Sequence, residues 1–193
     1  MKKIPCLFMR NFGQDGKSLG IRDEVTPGCE WVVSGEGIAT IKFDGTAVMV
    51  KGGELFKRYD CKRGKNPPEG FLPCQDPDPI TGHWPGWVAA SRSDNCDKWI
   101  FDALDRARDY YRGTVPDGTY EACGPRINGN PEGLIEHYLY RHGSQCVDDF
   151  PRSYEGIKER FQSFAYEGIV FHHPDGHMAK IRVRDFGFDR VVS

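Results

Sequence analysis

The sequence has no apolar run approaching the roughly 18 residues that cross a bilayer, so no membrane-spanning helix is expected. The opening MKKIPCLFMRNF has neither a long apolar stretch nor a small-residue cleavage site, so a secretory signal is not expected either. Also absent is any CxxC pair. The seven cysteines (Cys6, Cys29, Cys61, Cys74, Cys96, Cys123 and Cys146) stand singly and are odd in number. This excludes a zinc site of the usual spacing and argues against a disulfide scaffold. Free thiols imply a reducing compartment, the cytoplasm, or the host cytoplasm for a viral protein. Internal repeats and low-complexity tracts are missing. A large charge of one sign is missing too: the net charge is −2, which excludes a uniformly basic nucleic-acid binder.

What is present is an ordinary globular composition, 38% hydrophobic and 12% aromatic over 193 residues, enough for one domain spanning 1–193. Charge is uneven along it. Lys51, Lys57, Arg58, Lys62, Arg63 and Lys65 face only Glu54 and Asp60 in the same stretch, and Lys180, Arg182, Arg184 and Arg190 gather near the end. A local basic groove on a near-neutral protein fits this pattern.

Residues 37–51 read as strand, broken at Asp44-Gly45, and ELFKRY after Gly52-Gly53 reads as a third short strand. Residues 64–93 are rich in proline and glycine and read as a long irregular loop. Asp94 is placed to cap a helix from about Cys96 to Arg112, stopped by Gly113. GTYEAC, 118–123, reads as a strand. A second helix begins after Ser153, with Ile157, Phe161 and Phe164 inward. The end reads as a hairpin: 166–172, a turn at Pro174-Asp175-Gly176, then 177–184. The order of elements predicts an α+β fold dominated by antiparallel strands with flanking helices.

Several charged residues sit inside these apolar strands. Lys42 begins Lys42-Phe43-Asp44-Gly45, Arg58 ends the next strand, Glu121 lies in TYEACG, and Glu167 opens EGIVF. Lys180 and Arg182 alternate on one face of the last strand. A charge in a buried strand is costly without a partner, so these residues predict a shared polar cleft.

In this order the residues resemble the motifs of the covalent nucleotidyltransferase superfamily, the ATP-dependent DNA and RNA ligases and mRNA capping enzymes. Within it, Asn128-Gly129-Asn130-Pro131 with Gly133-Leu134, Thr81-Gly82-His83 with Pro85-Gly86-Trp87, the run EGIVFHHPDG and the opening KIPCLF are similar to the 5′–3′ RNA ligases. The resemblance covers roughly residues 36–184. It implies the ligase adenylation (ATP-grasp-like) fold and an enzyme joining 5′-phosphate and 3′-hydroxyl RNA ends through a lysyl-AMP intermediate. DNA sealing, guanylyltransfer and non-catalytic binding of nucleic-acid ends are the alternatives.

The resemblance further implies Lys42 as nucleophile, with Asp44 orienting it. Lys180 and Arg182 would stabilise phosphate charge and favour a neutral lysine amine. ATP would be held by Ile41, Lys42, Arg58, Glu121, Glu167, Phe171 and Lys180, with Phe43, Ile169 and Phe171 around the adenine. Glu167 and Glu121 would hold Mg2+, or Mn2+ in its place. Two departures stand out. Ile41 occupies a position where many such ligases have a glutamate, leaving a backbone carbonyl for adenine. Arg182 occupies a position where many relatives have lysine. Nine residues follow Arg184, too few for an OB-fold, so a bare catalytic domain is expected, leaving room for a partner protein in its place. The oligomeric state is open. HHPDGH matches no standard zinc spacing and reads as polar turn surface. Cys123 reads as packing.

Overall fold

Period-two runs of β-branched and aromatic residues form the strands, and apolar residues at three-to-four spacing form the helices. The computed structural model describes residues 1–14 and 18–191. In chain order it contains β1 (Phe8–Phe12), β2 (Ser18–Val25), α1 (Glu30–Val33), β3 (Ile38–Lys42), β4 (Thr46–Lys51), β5 (Glu54–Cys61), β6 (Leu72–Pro73), β7 (Trp84–Ala89), α2 (Lys98–Tyr110), β8 (Gly118–Cys123), β9 (Tyr138–Arg141), α3 (Tyr154–Phe161), β10 (Gly168–His172) and β11 (Met178–Arg182). These strands pair antiparallel, so the fold is mixed α and β with mostly antiparallel sheets. No helix among the described residues is long and apolar enough to cross a membrane.

The chain forms two compact units. The first comprises Met1–Lys3 and Asp44–His142, and the second Ile4–Phe43 and Gly143–Ser193. The boundary therefore falls inside the Lys42–Gly45 motif.

The first unit is a six-stranded sheet in the order β6-β7-β5-β4-β8-β9. Val48, Val50, Tyr120 and Ala122 point inward by alternation and pack with Ile100, Ala103, Leu104 and Ala107 of α2. The Tyr120 hydroxyl avoids an unpaired burial by donating to Pro116 O at 2.7 Å. Asp94 accepts from Cys96 N at 2.9 Å, as its capping position predicts, but a 3₁₀ turn over Asn95–Asp97 precedes α2. The α-helix thus starts two residues later than the sequence suggests. Lys57 donates to the buried Asp97 at 2.6 Å, tying β5 to this turn.

The segment 64–93 is not wholly irregular. β7 lies within it and pairs with β5 from Phe56↔Ala89 to Cys61↔Trp84. Its Pro85 and Gly86 conceal the strand in the sequence. Gly86 is needed because a Cβ there would sit 2.3 Å from the Phe71 ring.

The second unit holds the three-stranded sheet β11-β10-β3 and the pair β1-β2. Ser153 caps α3, accepting from Gly156 N at 3.2 Å, and the helix buries Ile157 and Phe161 one turn apart. These join Phe150, Phe164 and Phe171, with Phe150–Phe161 ring centroids 5.8 Å apart. Both edges of the sheet are covered. Lys180 N donates to Pro5 O and Leu7 N to Lys180 O, while Ile41 N donates to Gln145 O and Val147 N to Ala39 O. The hairpin β1-β2, α1 and β9 have no counterpart in the sequence reading.

Candidate functional site

The register of the second unit's sheet sorts its side chains. Lys42, Gly168 and Arg182 lie in one row across β3, β10 and β11, and Thr40, Val170 and Lys180 lie in the next. Registered neighbours on adjacent strands share a face, so Lys42, Lys180 and Arg182 stand on one side. Ala39, Ile41, Ile169, Phe171, Ala179 and Ile181 take the other and belong to the core. Gly168 keeps the middle of the polar row flat. A Cβ there would meet Ile181 O at 2.1 Å, so glycine lets β10 and β11 approach.

Glu167, immediately before β10, accepts from Lys42 Nζ through Oε2, and both side chains are largely shielded from water. Its other oxygen lies 3.7 Å from Arg184, whose side chain is mostly exposed. Arg182 is held differently. Its Nε and Nη2 donate to Asp185 at 3.1 and 2.6 Å, and its backbone N–H donates to Asp185 Oδ2 at 3.0 Å. Burial opposes the Arg182 charge, but these Asp185 bonds outweigh it and push its pKa up. Burial likewise opposes the Asp185 charge, and Arg182 and Arg10 still pull that carboxyl below its usual range. A two-pronged grip of this kind needs a guanidinium, which accounts for arginine at this position.

Lys180 lies among these cations. Burial, followed by the charges of Lys42, Arg182 and Arg10, pushes its pKa down to about 8, and Glu167 offsets only part of this. Nearby, Arg10 Nη2 reaches Asp185 at 3.5 Å, while Arg10 Nε is buried without a hydrogen-bond partner among the described residues. Four cations, Lys42, Lys180, Arg182 and Arg10, thus face two carboxylates, Glu167 and Asp185. The group carries more positive than negative charge.

The first unit contains a separate polar cluster around the Asp44-Gly45 turn. Glu121 Oε1 accepts from Gly45 N at 3.0 Å, and its Oε2 lies 3.0 Å from His142 Nε2. His142 Nδ1 is 3.0 Å from Thr119 Oγ1. Asp44 N donates to Glu132 Oε1 at 2.8 Å, and Asn128 Nδ2 donates to Asp44 Oδ1 at 2.7 Å. Asn128 and Asn130 take left-handed backbone conformations, φ 48° and 56°, which asparagine tolerates. Asn130 closes its loop with side-chain bonds to Leu134 N and O, both 2.9 Å. The Asn-Gly-Asn-Pro loop therefore supports the Asp44 turn. Arg58 donates to Met1 O at 2.6 Å and lies over Trp87.

Two sequence expectations change. Phe171 and Ile169 have no exposed surface and face the core, so neither is available to stack on adenine. Gly168, Val170 and His172 are the β10 residues on the Lys42 face. Glu121 has both oxygens engaged within its own unit, so holding Mg2+ would cost it Gly45 or His142. Ile41 places its side chain against the core, leaving only its backbone for a ligand. Glu132, His142, Arg10 and Asp185 were not singled out in the sequence. The spacing Arg182–Asp185 is a visible signal for the last, whereas the others act over long sequence separations.

No protein-family model matches this chain, and no curated protein matches it significantly.

Proposed function

We propose that this chain is an ATP-dependent RNA ligase that joins 5′-phosphate to 3′-hydroxyl RNA ends through AMP bound covalently to Lys42. The observation that supports this reading best is the placement of Lys42, bonded to Glu167, on a sheet face shared with a depressed Lys180 and a locked Arg182. An amine nucleophile, a carboxylate in contact with it and uncompensated cations are what attack on a phosphate requires.

In the first step Lys42 Nζ attacks the α-phosphorus of ATP. The new N–P bond forms as the P–O bond to pyrophosphate breaks, and Glu167, already touching Nζ, takes up the departing proton. Lys180 and the remaining Nη1 of Arg182 meet the charge growing on the phosphate oxygens. The 5′-phosphate of RNA then attacks the same phosphorus, releasing Lys42 and forming a pyrophosphate-linked AMP cap. Finally a 3′-hydroxyl attacks the RNA phosphate and AMP leaves.

Glu167 fits a magnesium ion, because among the described residues its Oε1 has only a distant, exposed Arg184 as partner. When bound there, Mg2+ (or Mn2+) would neutralise triphosphate charge. RNA as acceptor rests on the segments similar to 5′–3′ RNA ligases.

Incubation with α-labelled ATP or GTP tests the reading. Covalent label from ATP that disappears in Lys42→Ala is expected, with the adduct mapped to Lys42. Absence of label from both nucleotides would end the enzyme reading, and label from GTP alone would favour guanylyltransfer. Sealing assays on 5′-phosphorylated RNA and DNA strands decide the acceptor. Stronger sealing of DNA nicks than of any RNA would overturn RNA as substrate.

A further inference from the structure

The turn joining β10 to β11 carries a second group of ligating side chains. His173 Nδ1 lies 2.7 Å from Asp175 Oδ1, and His177 Nδ1 lies 2.9 Å from Asp175 Oδ2. One ligand atom from each of the three residues falls within 4.8 Å of the other two. The turn is held by backbone bonds, His173 N to His177 O and Gly176 N to His173 O, both 2.9 Å. His177 N also donates to Asp175 Oδ1 at 2.9 Å, fixing that carboxylate between the two rings.

A fourth residue supports the cluster from elsewhere in the same unit. Glu36 Oε2 lies 3.0 Å from His173 Nε2. With the Nε2 proton directed to Glu36, His173 Nδ1 turns a lone pair toward Asp175, which also offers lone pairs. His173 Nδ1 also accepts from Asp175 N at 3.3 Å, and Glu36 and Asp175 raise the pKa of the ring, so a proton shared with Asp175 accounts for the 2.7 Å approach and a bound metal ion would take that proton's place. Zinc bonds of about 2.0–2.1 Å place the donors of a tetrahedral site roughly 3.4 Å apart, inside the range these side chains span. A carboxylate behind a ligating imidazole is also the usual way such a ring is oriented.

We infer that His173, Asp175 and His177 form a binding site for a first-row divalent transition-metal ion, zinc by ligand type, with Glu36 orienting His173. Two imidazoles and one carboxylate suit zinc and leave a fourth position for water. His172, adjacent in sequence, takes no part: its Nε2 lies 3.0 Å from Thr40 Oγ1 on the sheet. The bound ion would clamp the turn at the head of the strand that carries Lys180. This inference does not rest on the ligase reading.

The test is calorimetric titration of the chelator-stripped full chain with zinc chloride, repeated with cobalt(II) to read ligand geometry from its visible absorption. One zinc per chain and a raised Tm are expected. The His177 side chain is 74% exposed, so His177→Ala leaves the fold intact, and it should weaken binding by about 100-fold or more. Glu36→Gln should weaken it by roughly 10-fold. His83→Ala, which removes the exposed His83–Asp60 pair elsewhere, should leave it unchanged. Equal zinc affinity in wild type and His177→Ala, or loss of binding in His83→Ala, would overturn the site. Lys42→Ala should bind zinc normally, whatever the labelling experiment shows.

Discussion

The two units treat charge in opposite ways. In the second unit, Lys42, Lys180, Arg182 and Arg10 crowd one region with Glu167 and Asp185, leaving Lys180 depressed and Arg10 Nε unpaired among the described residues. In the first unit, the Asp44-Gly45 turn has its polar groups satisfied by Glu121, Glu132, His142 and Asn128. A region that bears unfavourable charge can gain by binding an anion, whereas one whose hydrogen bonds are complete gains mainly stability. The contrast separates a candidate reaction surface from the scaffold of a turn.

The largest expected effect that tests this contrast is at Lys180. Lys180→Met should lower covalent labelling by at least about 100-fold, as loss of a donor to phosphate does elsewhere. The same variant should be more stable near neutral pH. Holding a lysine at about 8 rather than 10.5 costs the folded state about 3 kcal/mol when both states are charged. Because the folded pKa is depressed, this stability is recovered above the unfolded value and lost as pH falls through about 8. Wild-type stability in urea should therefore rise between pH 8 and 10.5, and Lys180→Met should lose that slope. A destabilised Lys180→Met with normal labelling would erase the distinction between the units.

A smaller, purely steric effect is expected at Gly168. Gly168→Ala forces a Cβ against Ile181 O and should cost about 3 kcal/mol, measured by denaturant unfolding. Labelling should fall with it, because the rows holding Lys42 and Arg182 are spread apart.

The smallest effect sharpens the first unit's role. Glu121→Ala orphans the half-buried Gly45 N–H and should cost about 1–3 kcal/mol. Glu121→Gln keeps an acceptor for that N–H and should cost less than the alanine variant. If Glu121→Gln instead retained full stability and abolished labelling, Glu121 would handle nucleotide directly, and the scaffold assignment would be wrong.

Much of the fold was legible because it depends on short-range patterns. The Asp94 and Ser153 caps, the inward face of α3 and the final hairpin all follow from spacing within about a dozen residues. β7 was not legible, because its Pro85 and Gly86 carry turn signals while their role is to fit beside Phe71. The β1-β2 pair was missed because its register is irregular, with shifts at Arg10. Within the candidate site, Lys180 and Arg182 could be placed on one face by alternation. Phe171 could not be assigned correctly from its apolar character alone, since a one-residue change of phase exchanges the core and polar faces. HHPDGH offered three histidines. Folding keeps two of them, adds Asp175 and Glu36, and sends His172 to Thr40.

By itself the sequence determined where the strands and helices with regular patterns form, and that Lys180 and Arg182 share a side of their strand, because both depend on backbone periodicity. Tertiary structure decided which strands align, and so brought Lys42 into the row of Arg182 from 140 positions away. It also decided which carboxylates are spent: Asp185 on Arg182, Glu121 on Gly45 and His142, and Glu167 on Lys42. Those choices depend on register and on the burial of each charge, which exist only once distant segments have packed together.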